Sequence, residues 1–239
     1  MTPEERMKQA GVKSGTDKIS VHQYHEYFPL EIDMLRRKRK GGMIEIGYGE
    51  GQSMGLWQQY LPNLFLYGID IRYEGSGETY QWIQGDQSCL ADLEALNALI
   101  DRRRHPIWFI NDDGSHIPEH QLITMDYLFL NVLEEGGVYI IEDIETSYWS
   151  RGGLYGYDTR YGYLHPDSLV EKFKRLVDYV NLDLIKPEDQ QHLDEQTSYL
   201  SKATKDAIAS IRFGRNCIMI RKKNQNQSIS RPTGYVDNL

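Results

Sequence analysis

Two carboxylates and an imidazole stand close together in Asp112-Asp113-Gly114-Ser115-His116, and a second acid pair, Glu142-Asp143, follows downstream. Oxygen donors in this number suit a hard divalent cation such as Mg²⁺, which takes oxygen ligands in near-octahedral geometry and keeps positions open for water or substrate. An imidazole beside them can act as general base toward a hydroxyl. Each acid has an alternative use as a helix cap, before Pro118 or Ser147. His116 has two alternatives, as a metal ligand or a surface residue, and His120, a helical turn later, reads as structural.

A second chemistry-bearing stretch is Glu45-Ile46-Gly47-Tyr48-Gly49-Glu50-Gly51. Its glycines let the backbone turn tightly and approach a ligand. The dinucleotide fingerprint G-x-G-x-x-G/A fails here because its sixth position is Gln52, which argues against NAD. An acid in a strand followed by G-x-G-x-G, with Ser53 opening the next helix, resembles motif I of the class I S-adenosylmethionine-dependent methyltransferases. A glycine turn without a ligand is the competing reading. Asp70, after the next apolar run, can accept both hydrogen bonds of a ribose diol. Asp86, in Gly85-Asp86-Gln87-Ser88, can meet an adenine amino group or cap a helix, with Ser88 competing for the cap.

These residues need a scaffold, and the chain supplies one. The apolar runs Met43 to Ile46, Leu64 to Ile69, Ile107 to Ile110 and Val138 to Ile141 each end at or beside an acid. They read as buried parallel strands, with the shorter Trp82 to Gln84 as a further candidate. Helical stretches run from Ser53 to Tyr60, Leu90 to Arg103 and Pro118 to Leu130, and a later one from Pro166 to Asp183 carries Leu169, Phe173, Leu176, Val177 and Val180 on one face. Alternating strand and helix predict a Rossmann-like, doubly wound α/β sheet, which gathers Asp112, Asp113, His116, Glu142 and Asp143 at one side. Ala207 to Phe213 and Cys217 to Arg221, joined by Gly214-Arg215-Asn216, predict an antiparallel carboxyl-terminal hairpin in this mostly parallel sheet.

The chain has 239 residues, 40% apolar and 26% charged, with a net charge of -8. One domain is expected over 41–223, with a helical cap at 1–40 contributing to the active site and a flexible tail at 224–239. The negative charge speaks against nucleic acid or an anionic membrane as partner. Arg36-Arg37-Lys38-Arg39-Lys40 reads as a basic helix end suited to the dipole, with a nucleic-acid patch as the alternative. Cys89 and Cys217 form neither a zinc pattern nor a disulfide framework. No run approaches a membrane span and the amino terminus lacks a signal peptide's apolar core, so a soluble, cytoplasmic protein is expected.

Taken together, Asp112-Asp113-Gly114-Ser115-His116, Ile141-Glu142-Asp143, Thr146-Ser147-Tyr148-Trp149 and Gly85-Asp86-Gln87 resemble the metal-dependent sugar O-methyltransferases of macrolide antibiotic biosynthesis, the mycinamicin and tylosin type. Gly15-Thr16-Asp17-Lys18, His22, Tyr24 and Tyr27 match a segment of that group, and the resemblance covers about residues 14 to 150. It implies that Asp113, Glu142 and Asp143 bind Mg²⁺ and that His116 takes the proton from the accepting hydroxyl. Gly47, Gly49 and Gly51, with Asp70 and Asp86, would hold S-adenosyl-L-methionine; Glu45, Ser53, Gln87 and Asp112 are placed with them. The expected acceptor is a sugar or glycosylated natural product, with a catechol or phenol, or a non-catalytic S-adenosylmethionine-binding module, as alternatives. The Tyr- and Gly-rich stretch from Ser147 to Leu164 would suit a lid over the acceptor, or is an ordinary surface loop, and self-association is left open.

Overall fold

The computed structural model describes residues 1–150 and 160–224. Helix α1 (Pro3–Ser14) starts in a capping box, in which Thr2 Oγ1 accepts the Glu5 N–H and the Glu5 carboxylate accepts the Thr2 N–H. It stops at Gly15, whose φ of 75° is the left-handed conformation open to glycine. Two short helices follow, α2 (Asp17–Ser20) and α3 (Pro29–Ile32). The alternating part then runs β1 (Gly42–Ile46), α4 (Gln52–Tyr60), β2 (Phe65–Asp70), β3 (Gly75–Ser76), β4 (Tyr80–Gln84), α5 (Leu90–Leu99), β5 (Ile107–Asp112), α6 (Pro118–Asn131) and β6 (Leu133–Glu142). Helices α7 (Leu169–Val180), α8 (Pro187–Gln196) and α9 (Lys202–Asp206) precede the strand pair β7 (Ile208–Gly214) and β8 (Cys217–Lys222).

The strands form a single sheet in the order β3-β4-β2-β1-β5-β6-β8-β7. The five central strands are parallel, β8 joins β6 antiparallel and pairs with β7, and β3 lies antiparallel to β4. The chain winds outward from β1 to β4, then crosses to β5 on the other side. The crevice beyond the carboxyl ends of β1 and β5 is therefore the topological switch point, where such sheets bind ligands. The expected architecture is the one observed, a mostly parallel α/β sheet ending in an antiparallel pair.

Strand alternation sorts the core onto two faces. Ile44, Ile46, Ile110, Tyr139 and Ile141 pack with Leu93, Met125, Leu128 and Phe173 from α5, α6 and α7. Met43, Phe109, Val138 and Ile140 pack on the opposite face with Met7, Leu56 and Trp57 from α1 and α4. Glu45 follows the period of Met43, so its carboxylate lies beneath α4 and is fully buried.

Some boundaries differ from the periodicity. The helix expected to reach Arg103 stops at Leu99 because the Asp101 carboxylate accepts the N–H groups of Arg103 and Arg104 and closes a turn there. Ser53 does not cap its helix; Gly51 occupies that position and the Ser53 hydroxyl donates to Glu45. The later helix begins at Leu169, where the Ser168 side chain accepts the Glu171 N–H. Among the described residues, no helix is long and apolar enough to cross a membrane. Positions 151–159, the centre of the expected lid, and 225–239, nearly all of the expected tail, lie outside the described residues.

Candidate active site at the carboxyl ends of the strands

The loop after β1 is shaped by glycine where nothing else fits. Gly47 has a φ of 88°, and a Cβ there would stand 2.2 Å from the carbonyl oxygen of Asp113, so the loops after β1 and β5 touch through bare backbone. Asp70 ends β2 and ties the same region together: its carboxylate accepts the N–H groups of Tyr48, Arg72 and Tyr73 at 2.8, 2.7 and 2.9 Å. The Tyr48 ring stacks on Tyr73 with centroids 3.6 Å apart.

Two clefts open at this edge. One, of about 130 Å³, is lined by Gly47, Asp70, Ile71, Asp86, Gln87 and Ser115. The other, of about 550 Å³, runs from the glycine loop past Gly15 and Asp17 to Asp113, His116 and Asp143. Gly47, Asp70 and Gly114 line both.

The acids after β5 and β6 divide into two groups. Asp113, His116 and Asp143 each present a ligand atom, and those atoms all lie within 4.8 Å of one another. His116 and Asp143 are both left-handed, with φ of 56° and 51°, which turns their side chains into the cleft rather than along the next helix. His116 Nε2 is 4.0 Å from Asp143 Oδ2, and the His116 carbonyl accepts the Thr146 hydroxyl at 3.0 Å. Asp143 Oδ1 accepts from Tyr24 Oη at 2.8 Å and from Asn216 Nδ2 at 3.0 Å. Burial, then the nearby Asp113 charge, raises the Asp143 carboxyl above its ordinary value.

Glu142 turns to the other group. Its Oε2 accepts from Lys18 Nζ at 2.8 Å, and the same ammonium donates to Asp113 Oδ2 at 2.5 Å and stands 3.8 Å from Glu45 Oε1. Burial alone would lower the Lys18 pKa, but Asp113, Glu142 and Glu45 together hold it well above the ordinary lysine value. Glu45 also accepts from Trp57 Nε1 at 2.8 Å and Ser53 Oγ at 2.9 Å; burial nevertheless pushes its carboxyl up to about 7.

The remaining candidates are placed as follows. Asp86, which lines the smaller cleft, accepts the Ser88 N–H and hydroxyl through Oδ1 at 2.8 and 2.7 Å. Gln87 donates to Asp112 and Thr124 and accepts the Ser115 N–H at 2.6 Å, so it braces the loop after β5. Asp112 is fully buried between Gln87 and Tyr139, and neither it nor Glu45 lines either cleft. Burial pushes the Asp112 carboxyl up to about 6 from an ordinary 3.8. Between those values the native state keeps a proton the unfolded chain has lost, so stability falls as pH rises through that window, by about 3 kcal/mol at about 1.4 kcal/mol per pH unit. Asp112→Asn is expected to flatten that fall. Urea unfolding at about pH 4 and pH 7 measures it, and equal differences in variant and wild type would remove Asp112 as the cause.

Lys18, Tyr24 and Asn216 are site residues that the search for acid clusters passes over. Lys18 and Tyr24 lie in the amino-terminal stretch matched by resemblance, whereas Asn216 carries only its position in the turn between β7 and β8.

No family model matches the chain. Among characterised proteins it is 33% identical over 177 residues to the 8-demethyl-8-alpha-L-rhamnosyl tetracenomycin-C 2'-O-methyltransferase of Streptomyces olivaceus, a match covering 70% of this chain and 43% of that enzyme. It is 36% identical over 122 residues to the mycinamicin VI 2''-O-methyltransferase of Micromonospora griseorubida, covering 47% of this chain and 29% of that one. The chain is thus similar, over part of their length, to O-methyltransferases of this kind. It spans less than half the length of these two relatives. The MycE methyltransferase of mycinamycin biosynthesis, solved with Mg, SAH and mycinamycin VI, shares the fold with a TM-score of 0.74 at 22% identity, over 95% of this chain and 57% of that one.

Proposed function

We propose that this chain is a Mg²⁺-dependent O-methyltransferase that moves the methyl group of S-adenosyl-L-methionine to a hydroxyl of a sugar or glycosylated natural product. The observation that carries this reading is the meeting of the Gly47 loop with Asp113, His116 and Asp143 in one cleft, in a chain similar to sugar O-methyltransferases.

The residues fit both bound groups. Glu142 Oε1 is buried and has no hydrogen-bond partner, and an orphaned carboxylate oxygen beside Asp113 and Asp143 suits a hard divalent cation. Asp113, Glu142 and Asp143 would hold the ion. Gly47, Gly49 and Gly51 would take the amino-acid end of S-adenosyl-L-methionine, Asp70 its ribose diol and Asp86 its adenine edge. Ser53 and Gln87, which line the clefts, would flank those contacts, and Glu45 and Asp112 would support them from behind.

When bound, the ion would supply Lewis acidity that lowers the pKa of an acceptor hydroxyl. His116 takes the acceptor's proton at Nε2, the nitrogen facing Asp143. Asp143, held by Tyr24 and Asn216, keeps its position while charge shifts around it. The low exposure of His116 and Asp143 makes their electrostatics stronger than in water.

Transfer of labelled methyl from S-adenosyl-L-methionine to rhamnosylated polyketides, measured beside catechol, tests the reading. Turnover of the glycoside is expected. Preference for catechol would move the enzyme to the phenol class, and cofactor binding with neither divalent-ion binding nor transfer would make the chain a binding module.

A further inference from the structure

A lysine ammonium sits among the carboxylates of the proposed metal site. Lys18 is 1% exposed, and its Nζ reaches one oxygen of Asp113 at 2.5 Å and one of Glu142 at 2.8 Å. Its partners are 95 and 124 residues away in sequence, so the contact joins the amino-terminal segment to the ends of β5 and β6. Neither the acid-cluster chemistry nor the base role of His116 uses it.

The backbone of Lys18 is anchored. The Thr16 side chain accepts the Lys18 N–H at 3.4 Å. The next residue, Ile19, lies against Gly11 of α1, where a Cβ would stand 2.0 Å from Ile19 Cγ1. With its stem buried and its backbone held against α1, the ammonium cannot leave without unpacking this face.

The oxygens it leaves are the informative ones. Lys18 takes Asp113 Oδ2 and Glu142 Oε2, while Glu142 Oε1 stays buried without a hydrogen-bond partner. Asp113 belongs at once to the ammonium and to the Asp113, His116 and Asp143 group. Two cation positions thus lie side by side and share a carboxylate. An ammonium brings three donors and no coordination geometry of its own, so it can fix two carboxylates by one oxygen each and leave the other oxygens for an ion.

We propose that Lys18 is a positioning residue: its ammonium clamps Asp113 and Glu142 so that their free oxygens face the divalent ion, beside that ion and not in its place. The inference rests on the metal reading above, and its test separates the two. Outer partners that orient metal ligands typically change metal affinity by about 10- to 100-fold when removed. At about pH 8, where the Glu45 carboxyl is mostly ionised, Lys18→Met combined with Glu45→Gln removes one positive and one negative charge, so the net charge beside Asp113, Glu142 and Asp143 is nearly unchanged.

Mn²⁺ binding to the full chain, followed by electron paramagnetic resonance, is expected to weaken by about 10- to 100-fold in this double variant, with circular dichroism as in wild type. A double variant that binds Mn²⁺ as tightly as wild type, or more tightly, overturns the role of Lys18. Wild type that binds no Mn²⁺ overturns the metal reading, and the positioning role with it. If the double variant does not fold, ¹⁵N-lysine-labelled wild type titrated with Mg²⁺ decides the matter. The protected Lys18 Nζ signal is expected to shift and persist; its loss to solvent exchange would show displacement by the ion and overturn the proposal.

Discussion

Replacing His116 by asparagine is expected to lower turnover by about 10²- to 10⁴-fold, the usual contribution of a positioned general base, while S-adenosylhomocysteine affinity stays within about twofold. Asparagine is the better probe than alanine because residue 116 sits at a φ of 56°, a conformation asparagine tolerates and alanine resists. With Asn the backbone stays and the base goes; with Ala, strain adds to the loss. The His116 carbonyl is held by Thr146, so the loop has an anchor that does not depend on the imidazole. Steady-state kinetics and calorimetry on both variants measure the effect. Cofactor affinity falling in step with turnover in the Asn variant would make His116 a scaffold residue instead.

Removing divalent ions should have an effect at least as large. EDTA is expected to suppress methyl transfer by on the order of 10³-fold, corresponding to the several kcal/mol of charge stabilisation a Lewis-acid ion contributes, and added Mg²⁺ should restore it. Without the ion, burial and mutual repulsion raise the carboxyls of Glu142 and Asp143. Mg²⁺ binding should therefore release protons and raise the midpoint of thermal unfolding, because a ligand that binds only the native state stabilises it. Full activity in EDTA would rule the ion out of the chemistry.

The sheet was legible because its central strands are mostly buried and stand out as short apolar runs, each ending at or beside an acid. The grouping of Asp113, His116 and Asp143 could be anticipated from β5 and β6 being parallel neighbours. The fate of Glu45 was legible only in part. Strand alternation puts it on the side of Met43, beneath the helix that carries Trp57, and a carboxylate there is consumed by internal partners before a ligand can reach it. Lys18 was not legible as a buried charge at all. Its neighbours in sequence are mostly polar, Ile19 apart, and the carboxylates that hold it come from distant strands. Helix α1 had a readable start in Thr2-Pro3-Glu4-Glu5, whereas the Asp101 turn that shortens α5 depends on one side chain choosing backbone partners.

The turn between β7 and β8 closes on the site from the far end of the described chain. Asn216 donates to Asp143, and its own carbonyl accepts the Tyr24 hydroxyl 192 residues earlier in sequence. Asp143 is thus latched by the first and last parts of the fold together. During synthesis the acid loop emerges long before this turn does, and contacts that close so large a loop form late. A chain interrupted before β7 and β8 would carry the acids and the imidazole with Asp143 held from the amino-terminal side by Tyr24 but lacking its Asn216 contact.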